Sequence, residues 1–219
     1  ALAKVRPRED GSADIVIQIS NYHDRFGGSN SSIYLGPAPL MSLVQDRQSM
    51  GEGFLFAVLS VMGLFFLGLF LFRRKERAFL WFAGLALTVG FRTLCYDGFV
   101  ILDIVPGMSW SALFKLGYAT FPLAMIFFVS FLNMLYPALA RRVVAIPVVV
   151  FFSAYFALIV FASEYVAART LLFVQLAALA VGLWGLGVIV VAFVRRFSGS
   201  AWLLVGFVFA LVSFTYDIL

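Results

Sequence analysis

Residues 54–95 read FLFAVLSVMGLFFLGLFLFRRKERAFLWFAGLALTVGFRTLC, two apolar runs joined by a short basic turn. Each run is close to the roughly 20 residues that an α-helix needs to cross a bilayer. Transmembrane β-strands would alternate apolar and polar residues, and these runs are continuously apolar. The stretch therefore predicts two transmembrane helices connected by a basic turn.

Similar apolar runs continue to the end of the chain. Of its 219 residues, 63% are hydrophobic and only 12% are charged. Soluble domains carry about 25% charged residues, so this composition excludes a soluble globular core. We predict an all-α bundle of transmembrane helices. Six spans are seen, at residues 53–72, 78–95, 111–136, 143–162, 170–194 and 201–219. We expect both ends to be cut and a seventh span to follow.

Basic residues are grouped in alternate loops between the spans. The groups are Arg73, Arg74, Lys75 and Arg77 after the first span, Arg141 and Arg142 after the third, and Arg195 and Arg196 after the fifth. The positive-inside rule places these loops in the cytoplasm and the N-terminus outside. The net charge of +5 comes from dispersed clusters rather than one patch. We therefore expect the lipid bilayer, and no nucleic acid, as a partner.

The N-terminal residues have a different pattern from the spans. Ile15, Ile17 and Ile19 alternate with less apolar residues, which is typical of a strand with one apolar face. A second short strand is predicted at 32–36, and two strands do not fold alone in water. We predict that residues 1–36 end an extracytoplasmic β-domain, that 37–50 form a linker and that 51–219 form the bundle. Such a domain favours sensing, and a passive cap is the alternative.

Ionisable residues of three spans lie at a similar depth near the predicted outer face. They are Arg92, Asp97, Asp103, Lys115 and Asp217. Charges within a bilayer are costly and usually face a partner. We therefore expect Arg92 to pair with Asp97 or Asp217, and Lys115 to pair with Asp103. Either these charges order the helices, with long side chains reaching the interface, or they form a ligand or coupling site. A solute pathway is the third interpretation.

The sequence has no glycine-rich phosphate loop and no HExxH, CxxC or GxSxG motif. His23, the single histidine, lies in a predicted turn, where we expect a surface residue. Cys95, the single cysteine, is expected to be a small apolar side chain. We therefore expect no catalytic residue, no cofactor and no metal site in this segment.

Residues 15–28, IVIQISNYHDRFGG, and 31–36, SSIYLG, are similar to the closing strands of the outer domain in one bacterial family. Residues 54–98 resemble its first helical pair. The family is the bacterial seven-transmembrane receptors with diverse intracellular signalling modules. Most of the outer domain, the seventh helix and the output domain are missing from this sequence.

The resemblance implies an outer β-sandwich of jelly-roll type, seven helices and a cytoplasmic output domain. That output domain would be a histidine kinase, a diguanylate cyclase, an adenylate cyclase or a phosphatase. The resemblance also implies the bacterial inner membrane and an unidentified small extracytoplasmic ligand, with carbohydrate as one candidate class. We expect a homodimer formed through the cytoplasmic domain.

We therefore predict that the chain is a transmembrane sensor segment that relays an outer signal to an output domain beyond its end. Two alternatives come from other classes of protein. One is a small-solute membrane transporter, and the other is a membrane assembly subunit without a signalling role.

Overall fold

The computed structural model describes the backbone of residues 36–96 and 100–218. Within these ranges, the side chains of residues 38, 45, 48 and 210–218 lie outside the described part. Seven helices are found there: α1 (Ala38–Phe72), α2 (Arg77–Cys95), α3 (Ile101–Ile104), α4 (Trp110–Leu135), α5 (Arg142–Phe161), α6 (Glu164–Val194) and α7 (Ser200–Ile218). The predicted strands fall outside the described residues, except for Gly36, and stay a prediction.

The predicted class, a bundle of apolar helices, is confirmed. Among the described residues, five helices (α1, α2, α4, α5 and α6) are long and apolar enough to cross a membrane. The side chains of α7 are described to Phe209, and this first part of the helix is also apolar. The predicted sixth span therefore coincides with a helix, and its crossing of the membrane stays a prediction. Helices α4 and α5 continue through Pro122 and Pro147.

Two helices begin earlier than the apolar runs that predicted them. Helix α1 starts at Ala38, so the stretch predicted as a linker, 37–50, is helical almost from its beginning. With 35 residues, α1 is about 52 Å long at roughly 1.5 Å per residue. This exceeds the roughly 30 Å hydrocarbon thickness of a bilayer. Helix α6 starts at Glu164 rather than at the predicted residue 170. Hydropathy marks only the apolar part of a helix, and both helices continue into polar sequence.

Helix α4 lies at the centre of the described bundle. It packs against α2, α5 and α6, while α1 packs against α2 and α7 packs against α6. Three clusters of buried side chains fill the interior. One surrounds Phe152 and Ile159, the second surrounds Leu132 and Ile189, and the third surrounds Leu94.

Close contact between α1 and α2 depends on a glycine. A Cβ added to Gly63 would lie 2.6 Å from Cγ of Leu87 and 3.3 Å from the backbone oxygen of Ala83. Carbon atoms normally approach to about 3.5–4.0 Å, so an alanine does not fit here without movement. Gly68, in the same helix, has nothing within 4 Å of such a Cβ. The sequence could not distinguish these two glycines.

Two neighbouring rings of α4 lie on glycines of two different helices. A Cβ on Gly84 of α2 would be 2.8 Å from the ring of Phe127, and one on Gly185 of α6 would be 2.7 Å from the ring of Phe128. The Phe128 ring also stacks on Phe207 of α7, with centroids 5.1 Å apart. The absence of side chains at the two glycines therefore positions α4 between its neighbours.

The three basic turns lie together at one end of the bundle, which we call the basic end. They are the α1–α2 turn with Arg73, Arg74, Lys75 and Arg77, the α4–α5 turn with Arg141 and Arg142, and the α6–α7 turn with Arg195 and Arg196. Contacts of Gly84 with Phe127 and of Gly117 with Tyr96 show that α2 and α4 are antiparallel. Tyr136 meets Phe197 edge-on at 5.7 Å, which brings the second and third turns together.

The α4–α5 turn is held by a buried amide. The side-chain nitrogen of Asn133 donates to the carbonyl oxygen of Ala140 at 2.5 Å, and Asn133 is buried. Because a buried carbonyl without a partner is costly, this bond fixes the path of the chain just before Arg141.

Helix α6 is followed by an arginine in the left-handed backbone region. Arg196 has a φ of 56°, and its N–H donates to Phe193 while the N–H of Phe197 donates to Ala192. These two bonds form a Schellman motif, in which glycine is the usual residue at this position.

Candidate functional site

At the end opposite the basic turns, side chains of four helices meet. The C-terminal parts of α2 and α5 and the N-terminal parts of α4 and α6 lie here. We call these residues the opposite-end cluster, and its members are Arg92, Tyr96, Ser111, Lys115, Tyr155 and Glu164. The sequence predicted two of them, Arg92 and Lys115, as site residues.

Arg92 joins α2 to α4 through aromatic rings. Its guanidinium carbon lies 4.1 Å from the centroid of Tyr96 and 5.9 Å from that of Phe121 on α4. The Tyr96 ring in turn packs on Gly117, where an added Cβ would be only 3.1 Å away. Cation–π contacts are worth about 0.5–2 kcal/mol, more when water is excluded. The half-buried Arg92 side chain therefore contributes to the α2–α4 contact.

Lys115 joins α4 to α5. Its ammonium nitrogen donates to the carbonyl oxygen of Val160 at 3.1 Å. Val160 lies in the last turn of α5, where carbonyls have no partner within the helix and where the helix dipole favours a cation. The predicted pair of Lys115 with Asp103 stays a prediction: Asp103 is exposed on α3, and Lys115 donates to the backbone acceptor.

Ser111 and Glu164 join α4 to α6. The Ser111 hydroxyl donates to a carboxylate oxygen of Glu164, which is the first residue of α6. The neighbouring Ser109 accepts from the N–H of Ala112 and so caps α4. Sequence reasoning missed this pair. The available signal was the serine-rich helix start at 109–111 and the acidic residue at the start of α6, where the dipole favours a negative charge.

Tyr155 joins α5 to α6. Its buried hydroxyl donates to the carbonyl oxygen of Ala167 at 3.2 Å, and the Thr170 hydroxyl donates to the same oxygen at 3.1 Å. Since a phenol in an apolar interior needs a partner, these contacts fix the orientation of the Tyr155 ring between the two helices. This residue was also missed, because an apolar run does not reveal which of its aromatic residues faces a neighbour.

The remaining predicted site residues lie elsewhere or outside the described part. Asp97 and the side chain of Asp217 are outside it, so the predicted pairs of Arg92 with these aspartates stay predictions. The residues predicted to set the topology, in the three basic turns, are exposed at the basic end. The described site residues, Arg92, Asp103 and Lys115, therefore lie away from the basic turns.

The chemistry of the opposite-end cluster is that of contact rather than of catalysis. It combines one carboxylate, two cations, two phenols and a serine, all engaged with neighbouring helices. Within the described ranges, no group of three metal-binding side chains is placed to hold an ion. The cluster joins four helices in one arrangement.

The fold and this cluster define a multi-pass helical membrane protein with polar contacts that join four helices at one end. A family model described as "7TM diverse intracellular signalling" matches residues 48–219, and the chain belongs to this family. The resemblance noted from the sequence is thereby confirmed. Membership makes this a membrane receptor domain with a signalling role, which is not itself catalytic. Among curated proteins and among solved structures, none matches the chain.

Proposed function

We propose that this chain senses an extracytoplasmic signal and relays it through helix packing to a cytoplasmic output domain. The observation that carries the proposal is the opposite-end cluster, in which α2, α4, α5 and α6 are joined by polar and cation–π contacts. In this proposal the N-terminus is extracytoplasmic, the basic end faces the cytoplasm and the membrane is the bacterial inner membrane.

The charged contacts of the cluster contribute part of the energy that a switch requires. The contacts of Lys115 with Val160 and of Ser111 with Glu164 each involve a charged group, and both are exposed. Exposed contacts of this kind are screened by water and are worth about 0–1 kcal/mol each, whereas moving a two-state equilibrium from 1:99 to 99:1 takes about 5.5 kcal/mol. A signal that replaces these two contacts therefore shifts the populations of the helix arrangements, and the remaining energy must come from other contacts.

Helix α1 supplies the mechanical connection between the two ends. It runs without a break from Ala38 to Phe72 and packs along α2. A displacement of its N-terminal part is therefore carried to the α1–α2 turn at the basic end. The proposed output, of histidine kinase or nucleotide cyclase type, follows the chain, and the proposed ligand is a small molecule such as a carbohydrate. The proposed functional unit is a homodimer.

The test replaces single charges in the full-length receptor. We expect Glu164→Gln and Lys115→Gln to lock or abolish the response of the output domain to its signal, with unchanged amounts of protein in the membrane. Asp46→Asn, which removes the same charge from an exposed residue of α1 outside the opposite-end cluster, is the control and should signal normally.

Signalling equal to that of the unaltered receptor in both cluster variants would contradict the proposal. Loss of solute uptake in these variants, with an unchanged output response, would instead support a transporter. A loss of protein from the membrane in parallel with the response would assign the cluster to stability alone.

A further inference from the structure

An open surface depression lies at the basic end, at the α1–α2 turn, and we call it the groove. It is lined by Leu71, Phe72, Arg73, Arg74, Lys75 and Glu76. The groove shares no residue with the opposite-end cluster, so the case for a ligand here does not rest on the proposed signalling function.

The groove carries an excess of available positive charge. Arg73, Arg74 and Lys75 are all exposed, and Glu76 is the only carboxylate in its lining. In the part of the chain that the structure describes, none of these three cations forms an ion pair. Arg77 follows directly and is also exposed. The surface is therefore complementary to an anion that brings its own negative charge.

The groove also has an apolar side. Phe72 is 91% exposed and Leu71 is 58% exposed, and they are the last two residues of the apolar helix α1. An inorganic anion gains nothing from these side chains. An amphiphile with a phosphate and acyl chains matches both halves of the lining, because the apolar helix α1 ends at Phe72 and the basic residues follow directly.

The first turn of α2 also favours an anion at this position. Helix α2 begins at Arg77 and has no side-chain cap on its first turn. Backbone N–H groups at the start of a helix, together with the helix dipole, favour a phosphate.

We propose that the α1–α2 turn binds the headgroup of an anionic phospholipid. Arg73, Arg74 and Lys75 hold the phosphate, and the acyl chains lie against Leu71 and Phe72. Each cation near an anionic membrane surface strengthens attraction about fivefold, so the three together account for about 100-fold in affinity.

The test is native mass spectrometry of the full chain in detergent, titrated with dioleoyl phosphatidylglycerol. The variant R73Q/R74Q/K75Q should bind this lipid about 100-fold more weakly. The variant R141Q/R142Q/R195Q loses the same charge from the other two turns at the basic end and should bind within threefold of the unaltered chain. Equal weakening of both variants would overturn the proposal, since it would show general surface attraction.

Competition experiments and a further variant distinguish an anionic lipid from free phosphate as the ligand. Dioleoyl phosphatidylcholine, which is neutral, should not displace the anionic lipid, and neither should inorganic phosphate at millimolar concentration. The variant F72A should weaken binding of the lipid. Displacement by inorganic phosphate, or no effect of F72A, would refute a lipid site.

If R73Q/R74Q/K75Q folds poorly, crosslinking of the unaltered chain still tests the proposal. In the unaltered chain, a phosphatidylglycerol with a diazirine on its acyl chain should crosslink to Leu71 or Phe72 on illumination. Adducts confined to the other two turns would overturn the proposal.

Discussion

Replacing Gly63 by alanine should lower the stability of the bundle, because the close contact between α1 and α2 outweighs the better helix propensity of alanine. The added Cβ would lie 2.6 Å from Cγ and 2.9 Å from Cδ2 of Leu87, and 3.3 Å from the backbone oxygen of Ala83. The Leu87 side chain must therefore change its χ1 rotamer, because Cγ is bonded to Cβ and cannot move away through rotation of the terminal methyl groups. The Ala83 carbonyl belongs to the backbone of α2, so only a shift of the whole helix can relieve that contact.

The magnitude follows from a comparison within α1. Overpacking of this kind costs about 1–3 kcal/mol. Alanine also gains about 1 kcal/mol over glycine in helix propensity. Gly68→Ala has the same gain and meets nothing within 4 Å, so it is the matched control. The difference between the two variants cancels the propensity term, and we expect Gly63→Ala to be the less stable by about 1–3 kcal/mol.

The assay is thermal unfolding of the purified chain in detergent, followed by near-ultraviolet circular dichroism. For a chain of this size, 1 kcal/mol corresponds to about 2–4 °C in Tm. Gly63→Ala should therefore unfold roughly 2–12 °C below Gly68→Ala. Equal Tm values, or a higher value for Gly63→Ala, would refute the conclusion that close contact between α1 and α2 depends on this glycine.

Three further predictions use the same assay. Gly185→Ala should destabilise the bundle by about 1–3 kcal/mol, because its Cβ would meet the Phe128 ring at 2.7 Å, whereas Gly187→Ala, with nothing within 4 Å, should not. Asn133→Ala removes the donor to the buried turn before Arg141 and should cost about 1–3 kcal/mol, and an unchanged Tm would show that water satisfies that carbonyl equally well. Arg196→Gly relieves the left-handed backbone of a non-glycine residue and should raise stability by about 1 kcal/mol, so a lower Tm would contradict the assigned strain.

The sequence predicted the helices well because long apolar runs have few alternatives to a transmembrane helix. The early starts of α1 and α6 were not predictable, since hydropathy does not follow a helix into polar sequence at its ends. Helix α1 begins at Ala38 and α6 at Glu164. Capping contacts and packing against neighbouring segments decide such boundaries, and a pattern of apolar residues shows neither of them.

The candidate site was predictable only in part. Depth along the spans placed Arg92 and Lys115 near the same end, because the rise of a helix is constant. The partner of Lys115 was not predictable, since it is the backbone oxygen of Val160 and not a side chain. Ser111 and Glu164 are far apart in sequence, and their contact depends on the parallel arrangement of α4 and α6.

The adjacent rings of Phe127 and Phe128 connect α4 to two different helices. Each ring lies on a glycine of a different neighbour, Gly84 on one side and Gly185 on the other. A rotation of α4 about its own axis would displace both rings together, so it would alter the contacts with α2 and α6 at the same time.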